Sequence, residues 1–265
     1  MGEWERSELN KVLNGVDLVA ENAPYPRAPI TEALIDIRVT LPERMTVADL
    51  AHVNIGEDVG YPQRRNQFAG EARIDIGEQL GTSTRQSHVG YTFASSDERQ
   101  IVQVRLDGFT FSRLAPYDRW ESFREEARHL WTLYRSVAEP ASIVRVAVRY
   151  INRLDLPLPM DDLTDYLRTV PEVSSDLPQS LGSYLMQLEI PQEDMGASVL
   201  LNEALLPPKD ADTASILLDI DLFRPLETPI GEEELWNLLD QFRVRKNEVF
   251  EACITERTRE LFRDA

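Results

Sequence analysis

The sequence has very few of the residues that most often signal chemistry or a membrane. It holds one cysteine, Cys253, among 265 residues. A single thiol excludes a disulfide within the chain and fits a reducing compartment. The three histidines, His52, His88 and His129, stand far apart, so no Cys/His cluster has zinc spacing and no metal ligand is assigned. No stretch approaches the roughly 20 apolar residues of a membrane-spanning helix. The start, Met1-Gly2-Glu3-Trp4-Glu5-Arg6-Ser7-Glu8, lacks the basic-then-apolar order of a secretory signal. Arg6 occupies the place where a myristoylation motif needs Ser or Thr. The expectation is a cytoplasmic protein with no membrane contact.

Catalytic fingerprints are missing as well. There is no G-x-S-x-G elbow, phosphate loop, dinucleotide-binding glycine pattern or H-E-x-x-H, so no catalytic residue and no cofactor is assigned. Cys253 falls on an apolar helical stripe, which reads as inert core rather than nucleophile. Plentiful carboxylates offer no distinctive acid–base pair.

What is present is a globular composition with a strong acidic bias. Apolar residues at 42% can build a sizeable core, and the formal net charge is −18. Such a chain is repelled by phosphate backbones, which argues against a nucleic-acid partner. The acidity serves solubility or a basic protein partner. The sequence sets no oligomeric state.

Periodicity gives an α+β order. Residues 1–28, broken by Pro24 and Pro26, read as an arm; 29–140 and 141–265 read as two halves of one domain or of two. Residues 33–41 alternate apolar and polar as a half-buried strand, and a short helix follows over 47–53. Residues 54–87 give little signal beyond a strand at 72–76. A hairpin joins 89–93 to one long arm, 100–114, through Ser95-Ser96-Asp97-Glu98. Asp118 caps a helix to 137, with Trp120 and Trp131 in its core-facing stripe. A strand at 143–156, a helix at 161–169, and strands at 183–190, 198–206 and 215–223 come next. One long helix at 232–262, bearing Trp236, closes the chain.

The two halves share this order and some landmarks. Leu41-Pro42-x-x-Met45 matches Leu156-Pro157-x-x-Met160 at an offset of 115, Trp120 matches Trp236 at 116, and Asp49-Leu50 matches Asp162-Leu163 at 113. The expectation is an internal duplication of a β-α-β-β-β-α unit, giving one curved antiparallel sheet with long helices packed across it.

Two strands carry candidate function. Phe109, Phe111 and Arg113 fall on one strand face, with Arg105 further back on it. This faintly echoes the aromatic sheet of an RNA-recognition motif, yet packing of both rings under a helix is the better reading. Arg145, Arg149 and Arg153 share a face of the next strand. Arginines in a row suit carboxylate or phosphate recognition, whereas Asp219 and Asp221 could answer them if their strand is adjacent. Glu32 is a lone acid at a strand start, best read as an ion-pair partner.

Pro29-Ile30-Thr31-Glu32-Ala33, Phe109-x-Phe111-Ser112-Arg113-Leu114 with Tyr117 and Trp120, and Arg149-Tyr150-Ile151-Asn152-Arg153 together resemble a sporadically distributed family of uncharacterised prokaryotic proteins of about this length. The resemblance spans residues 24–262. It implies no activity; patchy distribution loosely implies a mobile or defence-associated role. Its matching candidate ligand-binding residues are Glu32, Arg113, Arg149, Asn152 and Arg153. Three functions follow in order: a non-enzymatic interaction or accessory protein, a small-molecule or nucleotide binder using the arginine face, and an enzyme of unrecognised type.

Overall fold

The computed structural model describes residues 25–76 and 80–263. Nine strands form one antiparallel sheet, in the order β2-β3-β4-β5-β1-β6-β9-β8-β7. They are β1 (Ile30–Thr40), β2 (Gln63–Ile76), β3 (Leu80–Ala94), β4 (Gln100–Arg105), β5 (Gly108–Leu114), β6 (Ser142–Pro157), β7 (Leu185–Gln192), β8 (Ala197–Leu206) and β9 (Thr213–Pro225). The helices are α1 (Val47–Leu50), α2 (Trp120–Ala138), α3 (Glu232–Cys253) and α4 (Glu256–Arg263). The α+β class is therefore as expected, and none of the described helices is long and apolar enough to cross a membrane.

Strand β1 sets the two faces of the sheet. Its residues Ala33, Ile35 and Ile37 are fully buried, and the alternate residues Leu34, Asp36 and Arg38 are not. Ile35 stands opposite Phe111 of β5 and Val148 of β6, and cross-strand partners share a face. Phe111 stacks on Phe123 of α2, and Tyr150 of β6 lies under Lys246 of α3. Both long helices thus cover the same face. Phe109 packs on Trp131 and Tyr134 of α2, so the aromatics of β5 are core, and Trp120, Trp131 and Trp236 are buried with them.

Several elements differ from the sequence expectation. The arm expected at 100–114 is two strands, turned at Leu106-Asp107, with Gly108 opening the second at φ 155°. The turn puts Arg105 on the opposite face from Arg113, where it bonds Asp36 and Thr110. The low-signal stretch holds most of the long β2–β3 hairpin. Residues 63–70 lie at the sheet edge and are largely solvent-facing, so no buried side imposes an apolar period there. Gly90 allows β3 to close on β4, because a Cβ there would overlap the Val104 carbonyl oxygen.

Helix α2 starts one residue later than expected. Arg119 is its N-cap and makes no side-chain cap bond. The helix expected at 161–169 is only a 3-10 turn at Leu163–Asp165, with Asp162 accepting from the Thr164 N–H at 2.8 Å. The final helix breaks after Cys253. There the extended Ile254 bridges to Leu167, and Thr255 Oγ1 donates to the Asp165 carbonyl at 2.6 Å. Tertiary hydrogen bonding at two β-branched residues outweighs local helix preference. Of the expected arm, residues 1–24 lie outside the described residues. Tyr25 docks edge-on against Phe262 and donates to Glu251 Oε1 at 2.7 Å.

Candidate functional site

A cavity of about 360 Å³ opens between the sheet and the helices, where the entry segment 25–30, the start of α2, β6 and α3 meet. Tyr117 and Trp120 reach it from the first half of the chain, and Tyr150, Asn152, Arg243 and Lys246 from the second. The sheet wall follows from strand alternation: Tyr150 and Asn152 sit two apart on the helix-facing side of β6. The helix wall follows from a 3.6-residue period. Leu239, Phe242, Lys246, Phe250 and Cys253 form one buried stripe of α3. Lys246 holds a position on that stripe where an apolar side chain is expected.

Lys246 is only 7% exposed. It makes no hydrogen bond or ion pair among the described residues; its Nζ sits 3.6 Å from the centroid of the Tyr150 ring. A desolvated cation–π contact is worth about 2 kcal/mol, less than the several kcal/mol of burying an ammonium. Burial, reinforced by Arg243 and opposed by Glu251, therefore pushes the Lys246 amine down to about 7. Glu251 does not quench it, because it already accepts from Tyr25 and from Arg259 Nε at 2.6 Å. Arg243 also has no hydrogen bond or ion pair among the described residues.

The tyrosines supply hydroxyls. Tyr117 and Tyr150 share a hydrogen bond of 2.7 Å. Burial lifts Tyr117 to about 12 and Tyr150 well above the usual 10, so both remain neutral phenols able to donate. Trp120 Nε1 donates to Asp240 Oδ1 at 2.7 Å, which fixes its indole against the cavity. The result is a chamber with the rings of Tyr25, Tyr117, Trp120, Tyr150 and Phe250 on its walls and, at its inner wall, an amine without hydrogen bond or ion pair among the described residues.

The residues singled out from the sequence do not converge on one place. Asn152 lines the cavity, 3% exposed, with Nδ2 donating to the Leu218 carbonyl at 2.9 Å. Arg113 lies on the same sheet face, bonded to Ser122 Oγ at 3.1 Å and set over Phe123. Glu32, Arg149 and Arg153 occupy the other face. There the strand of Asp219 and Asp221 is indeed the neighbour of β6. Arg149 makes a two-pronged bond to Asp219 at 2.8 and 2.7 Å, and Arg145 pairs with Asp221 at 3.0 Å and with Asp36 at 3.2 Å. Arg153 bonds Asp155 and Ser215. A shallow depression of about 510 Å³ exists on this face, but its arginines are committed to these aspartates. Glu32 faces the same side and lies close enough to Arg149 to favour its charge.

Lys246 was not singled out by sequence reasoning, although a signal was there. The chain has 28 basic residues and only three are lysine: Lys11, Lys209 and Lys246. One of those three interrupts the apolar stripe of a long amphipathic helix. A second buried titratable group, the acid Glu203, was missed too. It accepts from the Tyr184 hydroxyl at 2.8 Å, its Oε2 has no hydrogen-bond partner among the described residues, and burial lifts it to about 7. Among the described residues no group of His, Cys, Asp and Glu is arranged to hold a metal. No protein-family model matches the chain, and neither a curated protein nor a solved structure does.

Proposed function

We propose that this protein binds a small molecule in the cavity between α2, α3 and β6. The ligand has a compact aromatic or apolar body and an oxygen head, carbonyl or carboxylate, turned toward Lys246. One observation carries this reading: a buried amine, without hydrogen bond or ion pair among the described residues, held on an apolar helix stripe and lining a chamber with five aromatic rings on its walls. A polar group buried alone is costly, and a site that presents one to a cavity is organised for an incoming partner. The chamber volume suits a fragment-sized ligand.

The same reading gives a role to the repeat-like architecture. We infer that the halves are duplicates. Strands β1 and β6 lie side by side, flanked by β5-β4-β3-β2 on one side and β9-β8-β7 on the other, so the first half carries one strand more than the second and than the expected unit. An offset of 115 makes the pair Leu34 and Arg149 its own image, and turns Ile35 with Val148 into Ala33 with Tyr150, also a pair. Offsets of 115 or 116 place Lys246 opposite Trp131 or Leu130, both almost fully buried. Function then arose where one copy exchanged a core side chain for an amine.

Benzoate serves as a first probe. Titration into the wild-type protein is expected to change Trp120 emission saturably, with affinity at least ~10-fold weaker in Lys246→Gln, about 1.4 kcal/mol. A Trp120→Phe control removes the emission change. Absence of saturation together with unchanged thermal stability in benzoate overturns the reading.

A second reading, an accessory protein with a basic partner, is favoured by the β7 edge. This terminal strand leaves Leu185 75% exposed, with Leu188 and Ile190 also solvent-facing and Glu189 beside them. An unpaired edge accepts an added strand. Native mass spectrometry of the protein from its own cells is expected to show a basic polypeptide that Leu188→Lys with Ile190→Lys releases. A bare chain, or a partner retained by the double variant, counts against it.

A further inference from the structure

The cavity reading leaves two head groups open, and the chemistry of the amine separates them. We propose that Lys246 forms an imine with an aldehyde or ketone ligand held in the cavity. This rests on the cavity being a ligand site, and it names the substrate class.

Three features of the site point this way. First, the chain uses arginine for nearly every cation yet places a lysine here. Arginine cannot lose its proton in a protein, whereas a lysine amine can and is then a nucleophile. Second, among the described residues no carboxylate pairs with Lys246, and Arg243, one turn earlier on α3 and without an ion pair among them, adds a like charge. The other charged groups around the chamber are Asp118, Arg119 and Glu121 at its α2 rim and Glu251 on α3. The rim groups lie in exposed or half-exposed positions, and Glu251 is held by Tyr25 and Arg259. Third, burial in the chamber disfavours an ammonium by more than the contact with the Tyr150 ring offsets, and the neutral amine that results is a competent carbonyl trap. The shift of the Lys246 amine agrees with this geometry.

The reaction balances without another reagent. The Nζ lone pair forms a bond to the carbonyl carbon, and the carbonyl π pair moves to oxygen, which takes a proton. The resulting carbinolamine loses its hydroxyl as water, and nitrogen releases its remaining protons as the C=N bond forms. Net, one amine and one carbonyl give one imine and one water. The Tyr117–Tyr150 hydroxyl pair on the cavity wall, or water entering with the ligand, lends and recovers the proton.

Reductive trapping tests this on the full chain. Benzaldehyde with cyanoborohydride at pH 7 is expected to add one benzyl group per chain, mapped to Lys246 by peptide mass spectrometry. An ordinary exposed lysine is only about 1 part in 10³ neutral at pH 7, so Lys246 should label at least ~10-fold faster than the exposed Lys209. Excess benzoate should slow labelling at Lys246 and leave Lys209 unchanged. Lys246→Met should fold and take no label at the site. Labelling confined to Lys209, Lys11 or the terminal amine overturns the inference. If benzoate still saturates the cavity in that case, the ligand site stands and only the imine fails; if neither occurs, both fail.

Discussion

Replacing Lys246 by methionine is expected to stabilise the protein at pH 7 by about 2–4 kcal/mol. An amine brought from its usual 10.5 to about 7 by burial costs, through proton linkage, about 4–5 kcal/mol to keep neutral. Water at the cavity mouth and imperfect methionine packing reduce the gain. Methionine matches the length of the stem and suits an irregular aromatic surface. The sign with pH follows from the protons bound. Between about 7 and 10.5 the unfolded chain holds a proton that the native amine has lost, so wild-type stability rises with pH across that window. Below about 7 both states are protonated and the full cost of burial remains. Glu203 acts on the acid side with the opposite slope. Between its usual 4.5 and about 7 the native carboxyl keeps a proton that the unfolded chain has shed, so stability falls as pH rises there and stays lower above. These two groups together give the wild type a stability minimum near pH 7. Lys246→Met should keep the acid-side fall and lose the alkaline recovery, as read by urea midpoints between pH 5 and about 9.5 at unchanged slope. A destabilised variant with the wild-type alkaline slope would mean that Lys246 is a structural residue with satisfied contacts. A gain in stability coupled to loss of benzoate binding is the trade expected where function keeps a costly group in a core.

The contrast between what the sequence revealed and what it hid has a physical basis. Strands β1, β6, β8 and β9 were legible because each has one face on the core and one on polar side chains, which enforces a period of two. The rows of Arg145, Arg149, Asp219 and Asp221 were legible for the same reason, and their pairing needed only strand adjacency. Residues 63–70 of the edge strand β2 had no such constraint. The break at Ile254 and the loss of a helix at 161–169 are one event, a mutual bridge between distant segments, so neither local pattern contains it. The cavity was hidden differently. Its walls come from residue 25, the start of α2, β6 and α3, and only the fold brings them together. Asn152 and Tyr150 were flagged by a motif on one wall, and the amine opposite them was legible only as a rare residue type in an apolar stripe.

Truncation of Arg149 to alanine is expected to cost about 2–3 kcal/mol, which separates the arginine face as structure from the arginine face as a binding site. Asp219 is 2% exposed, and its carboxylate accepts both prongs of Arg149 plus Asn202 Nδ2 at 3.0 Å. Removing the guanidinium leaves a buried charge with one neutral donor, a loss of about 3–5 kcal/mol in fully buried pairs. The Arg149 side chain is 42% exposed, so water replaces part of the interaction and the lower end applies. Removing both charges should be far milder. Arg149→Met with Asp219→Leu is expected within about 1 kcal/mol of the wild type, because the desolvation cost disappears with the pair. The coupling energy of the double-mutant cycle, read from urea midpoints, is then about 2 kcal/mol. Benzoate titration of Arg149→Ala, at a temperature where the variant stays folded, should match the wild type, since Arg149 and Lys246 lie on opposite faces of the sheet. A variant with undiminished stability and lost anion binding would move the site to the polar face. The geometry favours the first result: an arginine ladder whose members each hold an aspartate has little charge left to offer a ligand, whereas Lys246 has no hydrogen bond or ion pair among the described residues.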